Sequence, residues 1–98
     1  MKVGNWVALK QGLVAGSSPG AEIVVARGCV GTVIDTDAGV FGGPPKVRVA
    51  FEVARQALIV RAWVVVEDDF LKDGGPNDAF DSKARYDNGM TYREMLEG

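Results

Sequence analysis

The sequence predicts an all-β fold: a small barrel of about five antiparallel strands, then a polar tail that ends in a short helix. Around Arg27–Asp35, closely spaced glycines precede a β-branched run and an acidic break, as expected for a turn that leads into a strand. Lys46–Glu52 alternates apolar and charged residues with the period of a half-buried strand. Polarity rises after Leu71, so we expect the barrel at 1–71 and the tail at 72–98.

Strands are assigned where β-branched runs lie between turn residues. In chain order they are Val3–Lys10, Glu22–Ala26, Gly31–Asp35, Lys46–Glu52 and Ala57–Val66.

The segments between the strands are rich in glycine, proline and serine. Gln11–Gly20 and Thr36–Pro45 are expected as loops, and Val53–Gln56 as a hairpin connection. Gly28 is expected to adopt a positive φ. Glu67–Asp69 is expected as a 3₁₀ turn, after which Phe70 and Leu71 close the barrel.

The apolar run Ala57–Val66 fits either a strand or a buried helix by periodicity alone, but its valines favour a strand. One face would then carry Leu58, Val60, Ala62, Val64 and Val66, and the other Ile59, Arg61, Trp63 and Val65. We expect no helix longer than about two turns within the barrel. The predicted core consists of Val7, Leu9, Val25, Val33, Val47, Val49, Phe51, Leu58, Val60, Val64 and Phe70.

The composition excludes several kinds of catalytic site. The 98 residues include no histidine and one cysteine, so a Ser-His-Asp triad, a Cys-His pair and His-ligated zinc cannot form. We therefore expect a protein that is not an enzyme and holds no metal or cofactor. The formal net charge of -2 gives no electrostatic reason to expect nucleic acid or anionic lipid as a partner.

Two motifs have ordinary structural interpretations. Cys29 could be a reactive thiol, but no second cysteine or histidine supports it, and a small buried side chain explains it better. Asp35–Gly39 opens like a calcium loop but lacks the late glutamate of that motif, and turn chemistry explains it equally well.

The overall layout resembles that of a small SH3-like barrel. The residues that carry the resemblance are a Val-Gly-x-Trp-Val segment at Val3–Val7, the Gly-Thr-Val-Ile strand, the alternating strand around Val49, and an acidic turn before Phe70. The layout over about Val3–Leu71 is similar to the variable chain of ferredoxin–thioredoxin reductase, and more loosely to the β-subunit barrel of nitrile hydratase and to barrels of translation proteins. In the first two families the barrel braces a catalytic subunit, so the resemblance implies an accessory role.

Candidate partner-binding residues lie in one loop, in the last long strand and in the tail. Phe41 lies in a glycine-rich loop, where it has little structural reason to be. Arg61 and Trp63 share a strand face and are residue types that are common in binding hot spots. Alternatively, the barrel closes over Trp63.

The tail ends in a predicted helix with a capping box, in which Thr91 is the N-cap and Glu94 the third helical residue. Tyr92, Met95 and Leu96 form its apolar face. So short a helix is not stable alone and must dock on its own barrel, on another subunit or on a partner. We expect the barrel to fold without the tail.

The leading hypothesis is a cytoplasmic protein-interaction module or accessory subunit, which binds a protein partner or itself through loops and tail. A nucleic-acid-binding barrel is the alternative, with Lys46, Arg48, Arg55 and Arg61 as its basic patch. A small-ligand site at the barrel mouth or between subunits is the third. No signal peptide or apolar run of membrane-spanning length is recognised.

Overall fold

The computed structural model describes residues 1–15, 22–36, 45–55 and 57–97. Its strands are β1 (Asn5–Leu9), β2 (Leu13–Ala15), β3 (Ile23–Val25), β4 (Val30–Asp35), β5 (Lys46–Arg55), β6 (Leu58–Glu67) and β7 (Leu71–Pro76). The helix α1 spans Tyr92–Glu97, and 3₁₀ turns occupy Asp68–Phe70 and Asp78–Asp81.

The strands form a five-stranded antiparallel sheet and a separate two-stranded hairpin. The sheet has the order β6-β5-β4-β1-β7, while β2 pairs with β3. The predicted all-β, antiparallel class and the short C-terminal helix are thus confirmed. Among the described residues, however, the sheet does not close into a barrel, since β6 and β7 each pair with one neighbouring strand.

The last long strand is confirmed as a strand. β6 pairs with β5 in continuous register from Lys46 and Glu67 to Arg55 and Leu58. The described part of 22–66 contains no helix. Gly28 has a φ of 87°, as predicted for the turn that precedes β4.

Three expected connections are corrected by the structure. The predicted loop Gln11–Gly20 contains β2, because Leu13 and Ala15 pack on the core. The predicted connection Val53–Gln56 instead extends β5 as far as Arg55, because pairing with β6 continues to that point. The segment after Leu71 begins with a strand, β7, which pairs with β1.

The inner face of the sheet holds the main core, which the β2–β3 hairpin covers. Seven of the predicted core residues are buried there: Val7, Leu9, Val25, Val33, Val47, Val49 and Phe51. Leu58 is wrongly placed in the predicted core: it is 71% exposed because it lies at the far end of β6. Val60, Val64 and Phe70 are half-buried, and Ala62, Val66 and Leu71 are buried instead.

A glycine is required where β4 crosses the core beside β5. A Cβ added to Gly31 would lie 2.7 Å from Val49 Cγ1 and 2.8 Å from the carbonyl oxygen of Ala50. It would also lie 2.9 Å from Cδ1 of Phe51, the residue opposite Gly31 in the sheet. The absent side chain therefore makes room for the Phe51 ring.

The outer face of the sheet is covered by the C-terminal segment. Phe80 and Leu96 are 3% and 0% exposed and pack with Ala50 of β5. The Asn77 side-chain amide donates a hydrogen bond to Thr32 Oγ1 at 3.1 Å, and both side chains are buried. Residues expected to form a polar tail thus supply an edge strand and a second layer.

We predict that Phe51→Ala lowers the free energy of unfolding by about 3–5 kcal/mol, through lost burial and a residual cavity. Urea unfolding measures it, with Phe70→Ala as the control, because Phe70 is only half-buried and should cost less. A cost below about 1 kcal/mol for Phe51→Ala would contradict the central position of this ring.

Candidate functional site

The exposed large apolar side chains of β6 mark the candidate site. Ile59, Trp63 and Val65 are 72%, 40% and 51% exposed, and they alternate with residues that face the core. Together with Arg61 they form the outer strip, the four alternate β6 side chains from residue 59 to residue 65 on the outer face of the sheet; Glu67 follows them on the same face. Grouped exposure of this kind is typical of an interaction surface.

Among the residues that the structure describes, β6 pairs with β5 alone, and its other, free edge runs beside the outer strip. The Asp68 N–H donates to the Pro45 carbonyl at 3.0 Å, and the β5–β6 register is continuous from there. Because antiparallel strands alternate their hydrogen-bonding direction, even-numbered residues of β6 direct their backbone groups to β5. The odd-numbered residues, which carry the outer strip, direct theirs to the free edge.

The opposite edge of the sheet, β7, is poorly suited to pairing with another chain. It is a six-residue strand with Lys72 and Asp73 exposed and Pro76 at its end. Its pairing with β1 shifts register between Trp6 and Val7. Charges, proline and irregular register all discourage strand addition, so β6 is the more accessible edge.

The C-terminal helix docks on the outer face next to the strip. The Trp63 indole N–H donates to the backbone carbonyl of Leu96. The Tyr92 hydroxyl donates to Glu52 Oε1 at 3.3 Å, and burial raises the pKa of this phenol, which keeps it protonated. Both contacts join α1 to the β5–β6 pair.

Local interactions set the position of α1. The Glu94 N–H donates to Thr91 Oγ1 at 3.2 Å, so the predicted N-cap is confirmed. The Thr91 hydroxyl in turn donates to Glu94 Oε1 at 3.1 Å. The Arg93 guanidinium lies over the Phe80 ring, 4.8 Å from its centroid. These contacts hold a six-residue helix that could not persist alone.

The structure brings four of the predicted partner-binding residues to one place: Arg61, Trp63, Tyr92 and Leu96. Leu96 is fully buried against its own sheet, so its expected role in binding a partner is corrected to a role in the fold. Met95 is half-buried beside a shallow depression that Arg85 and Tyr86 also line. Phe41 lies outside the described residues.

Arg61 is the only charged member of the outer strip. It lies opposite Glu52 in the β5–β6 register. Its Nε atom is buried and has no hydrogen-bond partner within the described parts of the chain. An unpaired buried donor carries a free-energy cost, which a further acceptor near this position would relieve.

The basic patch of the nucleic-acid alternative is interrupted by acidic residues. Glu67 lies opposite Lys46, and Glu52 lies opposite Arg61. The side chain of Arg55 is outside the described residues. Alternating signs do not build the positive field that binds a phosphate backbone, so this alternative receives no support from the described surface.

Cys29 is placed as a structural residue. Its thiol is half-buried and donates to the Glu52 carbonyl at 3.2 Å. Burial raises the pKa of the Cys29 thiol, which disfavours the reactive thiolate.

The described residues contain no cluster of acidic, cysteine or histidine side chains that could hold a metal ion. Most of the calcium-loop-like segment Asp35–Gly39 lies outside them. In the same described ranges, no helix is both long and apolar enough to cross a membrane.

A cleft of about 270 Å³ lies where the C-terminal end of β6 approaches the start of β2. Residues from both regions line it: Gln11, Leu13, Lys46, Val65, Val66, Glu67 and Phe70. Val65 belongs both to this cleft and to the outer strip, so the candidate surface continues from the strip to the start of β2.

The sequence shows apolar residues on both faces of Ala57–Val66 but does not show that this strand lies at an edge of the sheet. Apolar residues on the solvent side of a strand are the sequence signal that could indicate such a site. The order of the strands, which makes β6 an edge, could not be obtained from local patterns.

Comparison with protein families, with curated proteins and with solved structures found no match to this chain.

We predict that Leu96→Ala lowers the free energy of unfolding by about 2–5 kcal/mol, because it leaves a cavity between α1 and the sheet. Met95→Ala is the matched control on the same helix and should cost less, since Met95 is only half-buried. Equal costs in urea unfolding would contradict the docking of α1 through Leu96.

Proposed function

We propose that this protein is a protein-interaction module that binds an extended segment of a protein partner along the free edge of β6. The observation that carries the proposal is that one edge of β6 pairs with no strand within the described parts of the chain, and that the apolar outer strip lies beside this edge. Backbone hydrogen bonds along such an edge provide affinity, and side chains on alternate positions provide specificity.

The outer strip has the chemistry of a binding surface. Ile59 and Val65 offer apolar contacts on either side of Trp63, and Arg61 lies between Ile59 and Trp63. Tryptophan and arginine are enriched among residues that dominate binding energy. A strand added at this edge would cover these side chains. It would also form hydrogen bonds with the backbone N–H and carbonyl groups of β6 that face the edge.

The C-terminal segment lies beside this surface on the same face of the sheet and supports it. Its hydrogen bond from Trp63 to Leu96 restrains the indole ring, and the Tyr92–Glu52 contact lies beside Arg61. Restraint before binding reduces the entropy that association costs. We propose that the tail acts by positioning Trp63. Of its predicted binding residues, Leu96 is buried, whereas Tyr92 and Met95 are half-buried.

The finer fold assignment is part of the same proposal. The hairpin β2–β3 lies over the inner face of the sheet, and β2 approaches β6, a layout compatible with an open SH3-like barrel. An accessory, non-enzymatic role is proposed with it, supported by this layout and by a composition without histidine.

We predict that Ile59→Lys abolishes capture of a protein partner from native cell extract by the immobilised full chain. The substitution places a charge on the strip at a residue that is 72% exposed, so folding is retained. Val24→Lys is the matched control. Val24, like Ile59, is an exposed β-branched residue of a strand, at 65%, but it lies on β3.

The proposal requires that the same partner bind the wild type and Val24→Lys but not Ile59→Lys. Equal capture by all three would contradict binding at β6. Binding of a single-stranded oligonucleotide that falls steeply with salt would favour the nucleic-acid alternative instead.

A further inference from the structure

We infer that the partner of the β6 edge is a second copy of this chain, paired antiparallel through β6 about a two-fold axis at Val64. The inference rests on the proposed function, because it identifies what occupies the same edge. Closed two-fold dimers are the commonest form of self-association, and their interfaces must be self-complementary. Strand β6 meets that condition in three respects.

The first respect is the edge itself. β6 is ten residues long and pairs with β5 without a register shift. A long, regular, apolar edge is a template for pairing with another chain, and β6 carries no proline. Because no strand of the described ranges pairs with this edge, it is available to the same edge of a second copy.

The second respect is the register. An axis at Val64 places Trp63 opposite Val65 of the other copy, and Arg61 opposite Glu67 of the other copy. All four residues are odd-numbered, so their backbone groups already face the edge as the hydrogen-bonded pairs of such a ladder require. The axis stands perpendicular to the sheet, so the outer strips of both copies lie on one continuous face.

The third respect is charge. Within one chain, Glu52 lies opposite Arg61, and Lys46 lies opposite Glu67. Across the dimer, the row on the outer face becomes Glu52, Arg61, Glu67 and Lys46, with the last two from the other copy. The signs alternate across all four strands, so every charge has opposite neighbours.

The Arg61 side chain gains a partner in this arrangement. The Glu67 carboxylate of a second copy would lie directly opposite it, and the terminal N–H groups of the guanidinium could donate to that carboxylate. Charge-assisted hydrogen bonds of this type are the stronger ones.

The test is sedimentation equilibrium of the full chain with two charge reversals, Arg61→Glu and Glu67→Arg. Each variant alone creates like-charge pairs at both ends of the interface. We expect the wild type to dimerise and each variant to dimerise about tenfold or more weakly. An equimolar mixture of the two variants should recover dimers, because each pair then regains opposite charges.

The mixture also controls for folding, since a misfolded variant would not be rescued, and thermal unfolding of each variant is recorded beside it. A wild type that stays monomeric at about 1 mM overturns the inference. Variants that dimerise like the wild type, or a mixture that stays monomeric while both variants are folded, overturn it as well.

Failure of the inference is distinguishable from failure of the proposed function. If the wild type is monomeric but captures a partner from extract that Ile59→Lys does not capture, then a second copy is not the occupant of the edge. Binding at the β6 edge would still stand. If Ile59→Lys retains that partner, binding at the β6 edge fails too.

Discussion

The five-stranded sheet carries apolar side chains on both faces, and the rest of the structure depends on how those side chains are covered. The inner face is sealed by the β2–β3 hairpin, which buries Val49 and Phe51 completely. The outer face is covered over Ala50 by Phe80 and Leu96. This unequal covering leaves the outer strip of β6 in contact with water.

The covering also explains why so short a C-terminal helix is stable. Leu96 contributes burial, Trp63 and Tyr92 contribute hydrogen bonds between α1 and the sheet, and Thr91 caps the helix. Apart from the Thr91 cap, none of these contacts is available to a free peptide. The helix therefore belongs to the fold.

The sequence predicted the features that local patterns encode. Alternation located Val47, Val49 and Phe51 in the core, β-branching identified β6 as a strand, and the capping box located the start of α1. Patterns failed where long-range pairing decides the structure. Lys72–Pro76 looks polar, yet it forms an edge strand because β1 offers it backbone partners, and an edge strand needs few apolar residues.

The candidate site was predictable in part for the same reason. Arg61 and Trp63 stood out by residue type, whereas the exposure of Ile59 and Val65 depends on β6 being at the edge of the sheet. Leu96 looked like a binding residue because an apolar helix face needs a groove. That groove is formed by residues far away in the sequence, among them Ala50 and Ile34.

The central claim is that the C-terminal segment is the second layer of the sheet and not a separable tail. The most direct test is urea unfolding of a chain that ends at Pro76, which keeps all five strands of the sheet but lacks Phe80 and Leu96. The account predicts a large loss of unfolding free energy, on the order of 4–10 kcal/mol from two emptied core positions, which would abolish cooperative unfolding in so small a domain. A shortened chain that unfolds cooperatively at the urea concentration of the full chain would contradict it.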